Sequence, residues 1–586
     1  MDYDLDSFVY RLECERRLPR GRGNERQGKR TSGESILDTI AITAVLLACV
    51  IASSLIKRAA RIPLPLALVQ IAIGALIAQL FGFRVSLSPD VFLLLFVAPL
   101  LFLDGWRISK AGLFRDKWTI GAFALGLVLI TVAGAGYFIH WLIPQMPLAV
   151  AFALAATLSP TDAVAVSAIG ERVPIPARLM HVIEGEALLN DASGLVCLRF
   201  AIAAAVTGSF SFVDAGGTFL WLVAGGVLAG AGVTLLANAA KDWAARMFGE
   251  ETGTQILISL LLPFGSYLVA DRIGASGILA AVTAGIVMSY EELAGRAQAG
   301  TRIRRAAVWD ALQFSGNGVI FVLLGQQLTN VIDRASQAIH QTGRQNELWL
   351  LFYVAAISVA LFVIRLLWTW GALRLILLRA RRVGQAINAS GWRLIVVTSL
   401  AGVRGAVSLS GVMTLPLFLQ DGASFPTRDL AILLAAGVIV VTLITANIGL
   451  PCALSGIRLP PGTADQQQED EARCAAARAA IVAVERALNG THKSADDADL
   501  FARAGARLIA HYREQIELRC QTGVDAKRSL QIDEIERKMR LLALGAEREE
   551  LYRIAQAGRL TDELVRDLVR EVDLQESRFS VRPSRG

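Results

Sequence analysis

Residues 181–200, HVIEGEALLNDASGLVCLRF, carry Glu184, Glu186, Asn190, Asp191 and Arg199 in a stretch that otherwise reads as a membrane-spanning helix continuing to about Val206. An ionisable side chain at bilayer depth costs about 2.5–3.5 kcal/mol on insertion scales, so such groups face a bundle interior or a wet cavity and mark ion or proton paths. Glu184 and Asp191 are seven apart and share a helix face; Glu186 and Asn190 are four apart on a neighbouring one. Carboxylates so placed can take up a proton or hold a small cation as hard oxygen ligands. A polar seam that only glues helices together is the plainer alternative, but one span holds more charge than packing needs.

Two other apolar runs are interrupted by residues with chemistry of their own. In Leu158-Ser159-Pro160-Thr161-Asp162-Ala163-Val164 the proline breaks the backbone ladder, and Ser159, Thr161 and Asp162 can re-satisfy freed groups or offer oxygens to a cation. In GVRGAVSLS, Gly402 and Gly405 permit close approach or unwinding around Arg404. Arg404 cannot shed its charge and needs a buried acid, with Glu186 the first choice of partner and Glu184 the second. Non-helical backbone at membrane depth survives only where it is buried in protein or lines a cavity.

The elements that must position these residues follow from composition. The chain has 586 residues, 54% hydrophobic and 19% charged, with a mean hydropathy of +0.50, which indicates a polytopic, all-α membrane protein. Apolar runs predict about thirteen spans, near 35–56, 62–82, 89–106, 118–143, 147–170, 181–206, 217–240, 254–270, 275–290, 306–328, 349–378, 394–418 and 429–455. The interrupted runs are the fifth and twelfth. An offset of seven maps runs 1–6 onto 8–13, and broken helices at matching positions point to a midplane site in an inverted-repeat transporter. With the first connection cytoplasmic, the inside loops hold nineteen Lys and Arg and the outside loops five. This positive-inside bias places the C-terminal tail in the cytoplasm. It also places residues 1–34 outside, against the eight Lys and Arg they contain. The expected organisation is a polar basic extension over 1–34, a transmembrane domain over 35–457 and a cytoplasmic helical tail over 458–586. That tail is read equally as a solvated appendage or as a regulatory, dimer-contacting element.

Several function classes are excluded. The net charge of +7 reads as loop bias rather than nucleic-acid binding. The six cysteines are scattered and support neither a metal site nor a disulfide framework. The Arg-rich segment 11–30 is too long and polar for a signal-peptide n-region. No GxxxxGK[ST] or DKTGT stretch marks a primary pump, and the five histidines supply no protease dyad. A cation channel is the non-carrier alternative, although channels want filter rings or carbonyl-rich loops in an oligomer rather than matched broken helices.

SPTDAVAV, EGEALLNDASG, LPFGSYLVADRIGASGILAAVTAGIV (262–287), WDALQFSGNGVIFVLLG (309–325) and SLAGVRGAVSLS (399–410) together resemble the monovalent cation:proton antiporter-1 family, in its bacterial NhaP-like branch. The resemblance covers roughly residues 36–455, in the right order. It implies exchange of Na+ or Li+ for H+ by alternating access, with K+/H+ exchange by the same fold as the alternative. It implies no cofactor and a homodimer among the lipids of the cell membrane. Residue by residue, the ion-binding aspartate falls on Asp191, with Asn190 before it, where an uncharged residue resembles the electroneutral branch. The unwound-helix threonine and aspartate fall on Thr161 and Asp162, with Ser159 beside them; Asp191 and Thr161 would hold the Na+. The structural acid–arginine pair falls on Glu186 and Arg404. Two departures stand out. Ala187 replaces a frequent serine, removing one hydroxyl. In span three the position four after Pro99 is Leu103, and Asp104 comes one later, facing either the cavity or the interface beside Trp106 and Arg107.

Overall fold

The computed structural model describes residues 25–60, 64–81, 89–108, 110, 112, 117–163, 166–167, 175, 177–207, 212–249, 251–293, 298–333, 348–382, 392–416, 425–454, 463–489, 495–520, 524–556 and 562–580. All regular structure among them is helical. In chain order the helices are α1 (Glu25–Ala59), α2 (Leu66–Phe81), α3 (Pro89–Phe92, a π-turn over Leu93–Val97, then Ala98–Arg107) and α4 (Lys117–Gly121, a π-turn over Ala122–Leu127, then Val128–Leu142). They continue with α5 (Leu148–Leu158), α6 (Ala177–Thr207), α7 (Phe212–Phe248), α8 (Thr252–Arg272), α9 (Gly277–Leu293), α10 (Ala299–Asp333) and α11 (Leu348–Arg382). After α12 (Trp392–Leu400), α13 (Ala406–Met413) and α14 (Arg428–Leu454) come α15 (Thr463–Asn489), α16 (Ala495–Cys520), α17 (Val524–Gln556) and α18 (Asp562–Ser580).

Helix is found in each of the predicted apolar runs, and among the described residues eight helices are long and apolar enough to cross a membrane. Helix α1 begins at Glu25, inside the expected N-terminal extension, and its 35 residues reach about 52 Å, well beyond a bilayer core of about 30 Å. Residues 1–24 of that extension lie outside the described residues. Contacts divide the chain into two compact units, Met1–Ile457 and Arg458–Gly586. Within the second, α15 packs on α16 and α17 on α18, where Arg548 pairs with Asp573 at 3.0 Å and with Glu576 at 2.5 Å.

Within the first unit the helices sort into two bundles. Helices α4, α5, α6 and α11 to α14 pack chiefly on one another, and so do α1, α2, α3 and α7 to α10. We call the former the core bundle and the latter the scaffold. The core bundle closes around Leu154, Leu158, Ile183, Leu198, Val403 and Ile439. The scaffold is held by backbone approaches that only glycine allows. A Cβ on Gly285 of α9 would lie 2.0 Å from the carbonyl oxygen of Phe102 in α3, and one on Gly325 of α10 would lie 2.0 Å from that of Ile71 in α2. Lipid tails supply no hydrophobic drive between helices, so close packing at small residues takes its place. Here it sets the positions of α3 and α10, the two scaffold helices that face the core bundle's broken segments. The π-turn in α3 lies just before Pro99, whose missing N–H removes a ladder bond; the wider turn absorbs that defect.

Gly285→Leu is expected to lower the melting temperature of the detergent-purified protein by several degrees, since overpacking against backbone costs about 1–3 kcal/mol or more. An unchanged melting curve would show that α3 and α9 are not held by this approach.

Candidate functional site

Helix α5 stops at Leu158, and residues 159–162 leave the helix in the way the proline demands. Ala163, Val166 and Ser167 are helical again, while 164–165 and 168–174 lie outside the described residues. In the far half of the chain, residues 401–405 break between α12 and α13. The two breaks lie side by side: the Asp162 N–H donates to the Val403 carbonyl at 2.8 Å. Arg404 Nη1 donates to the carbonyls of Ser159 at 3.0 Å and Pro160 at 3.2 Å. These carbonyls follow the end of α5, where the helix dipole is negative and its oxygens lack intrahelical partners. A guanidinium there caps the broken helix. Gly405 is required by the same crowding, since a Cβ would lie 1.9 Å from Asp162 Oδ2.

The structure corrects the expected pairing of Glu186 with Arg404. Glu186, 1% exposed, is gripped at both carboxylate oxygens by Arg365 of α11, with Nη2 to Oε2 at 2.8 Å and Nη1 to Oε1. Arg365 is 2% exposed, and its Nε donates to the Thr398 carbonyl at 3.0 Å. A fork-to-fork pair satisfies a carboxylate better than one contact could, and Arg404 is already spent on the carbonyls of the break. Gly402 makes room for this arrangement, because a Cβ there would lie 2.6 Å from Arg365 Cδ. Sequence reasoning missed Arg365. The available signal was an arginine near the middle of the apolar run 349–378, more than one helical turn from either end, which implies a buried acid.

Between the bundles lies a cavity of about 240 Å³. The core bundle contributes Thr161, Asp162, Glu184, Ala187, Asp191 and Ser408 to its wall. The scaffold contributes Asp104 and Arg107 of α3 with Gln313 and Asn317 of α10. Asp191 is 6% exposed and faces the cavity. Asp104 lines it too, on the cavity side of its two expected placements. Ala187 also lines the wall, so the absent hydroxyl is absent from the site itself. Asn190 and Ser159 are buried behind the wall rather than in it. Asn190 Nδ2 donates to the Thr161 hydroxyl at 2.8 Å, and that hydroxyl lies 3.4 Å from Glu186 Oε1. Thr161 is therefore held from two sides, with Glu186 and Asn190 acting through it. The scaffold residues Gln313 and Asn317 lie in the motif WDALQFSGNGVIFVLLG (309–325), but nothing in it singled them out as cavity residues. Arg199 is exposed and does not line the cavity.

The family profile described as "Sodium/hydrogen exchanger, transmembrane" matches residues 41–455. The Escherichia coli protein named "Uncharacterized Na(+)/H(+) exchanger YjcE" is 39% identical over 533 residues, covering 90% of this chain and 96% of its own. A Bacillus subtilis protein named "Sodium, potassium, lithium and rubidium/H(+) antiporter" is 37% identical over 534 residues, covering 90% and 76%. The fold is similar to that of the sodium proton antiporter MjNhaP1 from Methanocaldococcus jannaschii, with a TM-score of 0.53 at 17% identity over 71% of this chain and 98% of that one.

Removing one partner of a buried pair costs about 3–5 kcal/mol, whereas replacing both by apolar residues is often nearly neutral. Arg365→Ala should therefore abolish the yield of folded protein. Glu186→Leu combined with Arg365→Met should recover a monodisperse peak in size-exclusion chromatography. If Arg365→Ala alone purifies and melts normally, the pair is not what neutralises Glu186.

Proposed function

The chain belongs to the sodium/hydrogen exchanger family, and on that premise we propose that it exchanges Na+ or Li+ for H+ across the cell membrane, with Asp191 holding one or the other. The observation that carries this reading is a buried carboxylate facing a cavity between two bundles, opposite a break in a membrane helix. A carboxylate withdrawn from water is not stable bare, and either a proton or a cation neutralises it. Two ligands that compete for one group, presented in turn to two sides, give exchange without ATP. A tenfold gradient of either ion is worth about 1.4 kcal/mol, so a pH gradient drives Na+ uphill by a similar ratio.

The remaining residues support that group. The Thr161 hydroxyl, oriented by Asn190 and Glu186, adds an oxygen ligand beside Asp191, and Asp162 and Asp104 add negative charge to the wall. Asn190, uncharged beside Asp191, favours one-for-one, electroneutral exchange. Arg365 offsets Glu186, so that this acid orients Thr161 without competing for the cation. Alternating access moves the core bundle, which carries Asp191 and both breaks, against the scaffold. The scaffold would also form a homodimer. The excess of Lys and Arg in alternate loops supports a cytoplasmic C-terminal tail.

K+/H+ exchange is a second reading with its own support. The Bacillus subtilis relative is named for potassium and rubidium as well as sodium and lithium, and Ala187 leaves the wall one oxygen short. A less complete oxygen cage favours a larger, more weakly hydrated ion.

Asp191→Asn in everted vesicles should abolish cation-induced dissipation of a pH gradient. Exchange at near the wild-type rate would remove Asp191 from its role. In proteoliposomes of the wild type, acidification should raise the apparent KM for Na+ by up to about tenfold per pH unit, the limit for two ligands competing for one group. Titration with Na+, Li+ and K+ in the same assay ranks the transported ions.

A further inference from the structure

Among the described lining residues, the cavity carries four carboxylates, Asp104, Asp162, Glu184 and Asp191, and a single cationic side chain, Arg107. Arg107 ends α3, one helical turn beyond Asp104, and its side chain is 42% exposed, which places it at the cavity's mouth. There it is held by the scaffold's own α10: Nη1 donates to Gln313 Oε1 at 2.6 Å and Nη2 to Asp310 Oδ1. Asp310 is 65% exposed, so this ion pair is a surface pair, solvent-screened and easily exchanged. Across the cavity, Glu184 stands on the core bundle's α6, two turns or about 10 Å before Asp191 along the helix. Glu184 makes no hydrogen bond or ion pair among the described residues.

We infer that Arg107 and Glu184 form the cytoplasmic gate of the transport path, open while Asp310 and Gln313 hold Arg107 and closed when the guanidinium crosses to Glu184. The inference rests on the reading of Asp191 as the transported-ion site. Arg107 belongs to one bundle and Glu184 to the other, so relative motion of the bundles changes their separation, whereas the Arg107–Asp310 contact lies within the scaffold and does not oppose it. Exchanging one carboxylate for another around the same guanidinium has a small net cost, which suits a gate that must open in every cycle. In the closed arrangement a cation is shut off from Asp191 twice, by the side chains across the mouth and by the guanidinium's charge. A wall of four carboxylates would otherwise admit cations at any stage of the cycle. Arg107, Glu184 and Asp310 are positioning residues in this scheme, because none of them holds the ion.

Charge reversal tests the gate in proteoliposomes. Arg107→Glu and Glu184→Arg each place like charges across the mouth and should slow exchange by about tenfold, equivalent to about 1.4 kcal/mol. The double variant R107E/E184R restores attraction across the mouth and should recover to within about threefold of the starting rate. Failure of the double variant to recover, while it still binds 22Na+ as purified protein, overturns the gate. Asp310→Asn favours the closed state and should weaken apparent Na+ affinity severalfold from the cytoplasmic side only; an equal effect from both sides also counts against it. As a check independent of charge, R107C/E184C in a background without the six native cysteines should be bridged by a short bifunctional thiol reagent. Bridging should stop exchange, and reduction should restore it. No bridge, or a bridge that leaves exchange running, overturns the proposal. The Asp191→Asn result stands apart from all of these: exchange surviving there rejects the ion site, whereas 22Na+ binding that depends on Asp191 keeps that site even where the gate fails.

Discussion

A bilayer offers no water to a peptide group that has lost its helical partner, so a broken membrane helix must find those partners inside the protein. In this chain two breaks satisfy one another. The Asp162 N–H reaches the Val403 carbonyl, and the Arg404 guanidinium reaches the carbonyls of Ser159 and Pro160. Each break is the other's solvent. Their contact brings residues some 240 positions apart in sequence into one polar centre, and the Gly405 position is tied to it because nothing larger fits beside Asp162. Thr161 and Asp162 are exposed to the cavity because the backbone here is not helical.

Around that centre, charge is divided by role. Two arginines of the core bundle are buried near the breaks, and each is committed: Arg365 to Glu186, Arg404 to carbonyl oxygens. Neither lines the cavity. Asp191, on the same helix as Glu186 and little more than one turn further on, faces the cavity instead. One acid is thereby given a buried arginine as counter-ion, and the other lines the cavity. The same separation places Asn190 behind the wall, where it positions Thr161 through a hydrogen bond.

The scaffold is built on close approaches between helix backbones. Glycine contacts between α3 and α9 and between α2 and α10 bring backbones together at distances side chains would forbid, so these helix pairs are held by close packing. The core bundle meets it at a seam formed by the cavity, which polar and apolar side chains line together. Asp104, Arg107, Gln313 and Asn317 are the scaffold's polar share of that seam.

Much of this was legible in the amino-acid order. Apolar length and loop charge determined a helical membrane domain followed by a charged helical tail, because bilayer thickness and peptide desolvation leave few other solutions. Pro160 and the Gly402–Gly405 interval located both breaks, since proline and paired glycines act on the backbone locally. Asp191 and Glu186 were conspicuous because charge in an apolar run is costly wherever it folds. What local pattern could not decide was which charge meets which. Arg365 and Arg404 are both arginines in apolar spans, and the choice between them as partner of Glu186 depends on helix rotation and on the clearance that Gly402 provides. The cavity face of Asp104 was undecidable for the same reason, because the π-turn over Leu93–Val97 alters the helix phase ahead of it. Sequence thus determined where the charges and breaks lie along the chain. Only tertiary packing decided their partners, because partnership is set by the distance and rotation between helices that sequence spacing does not encode.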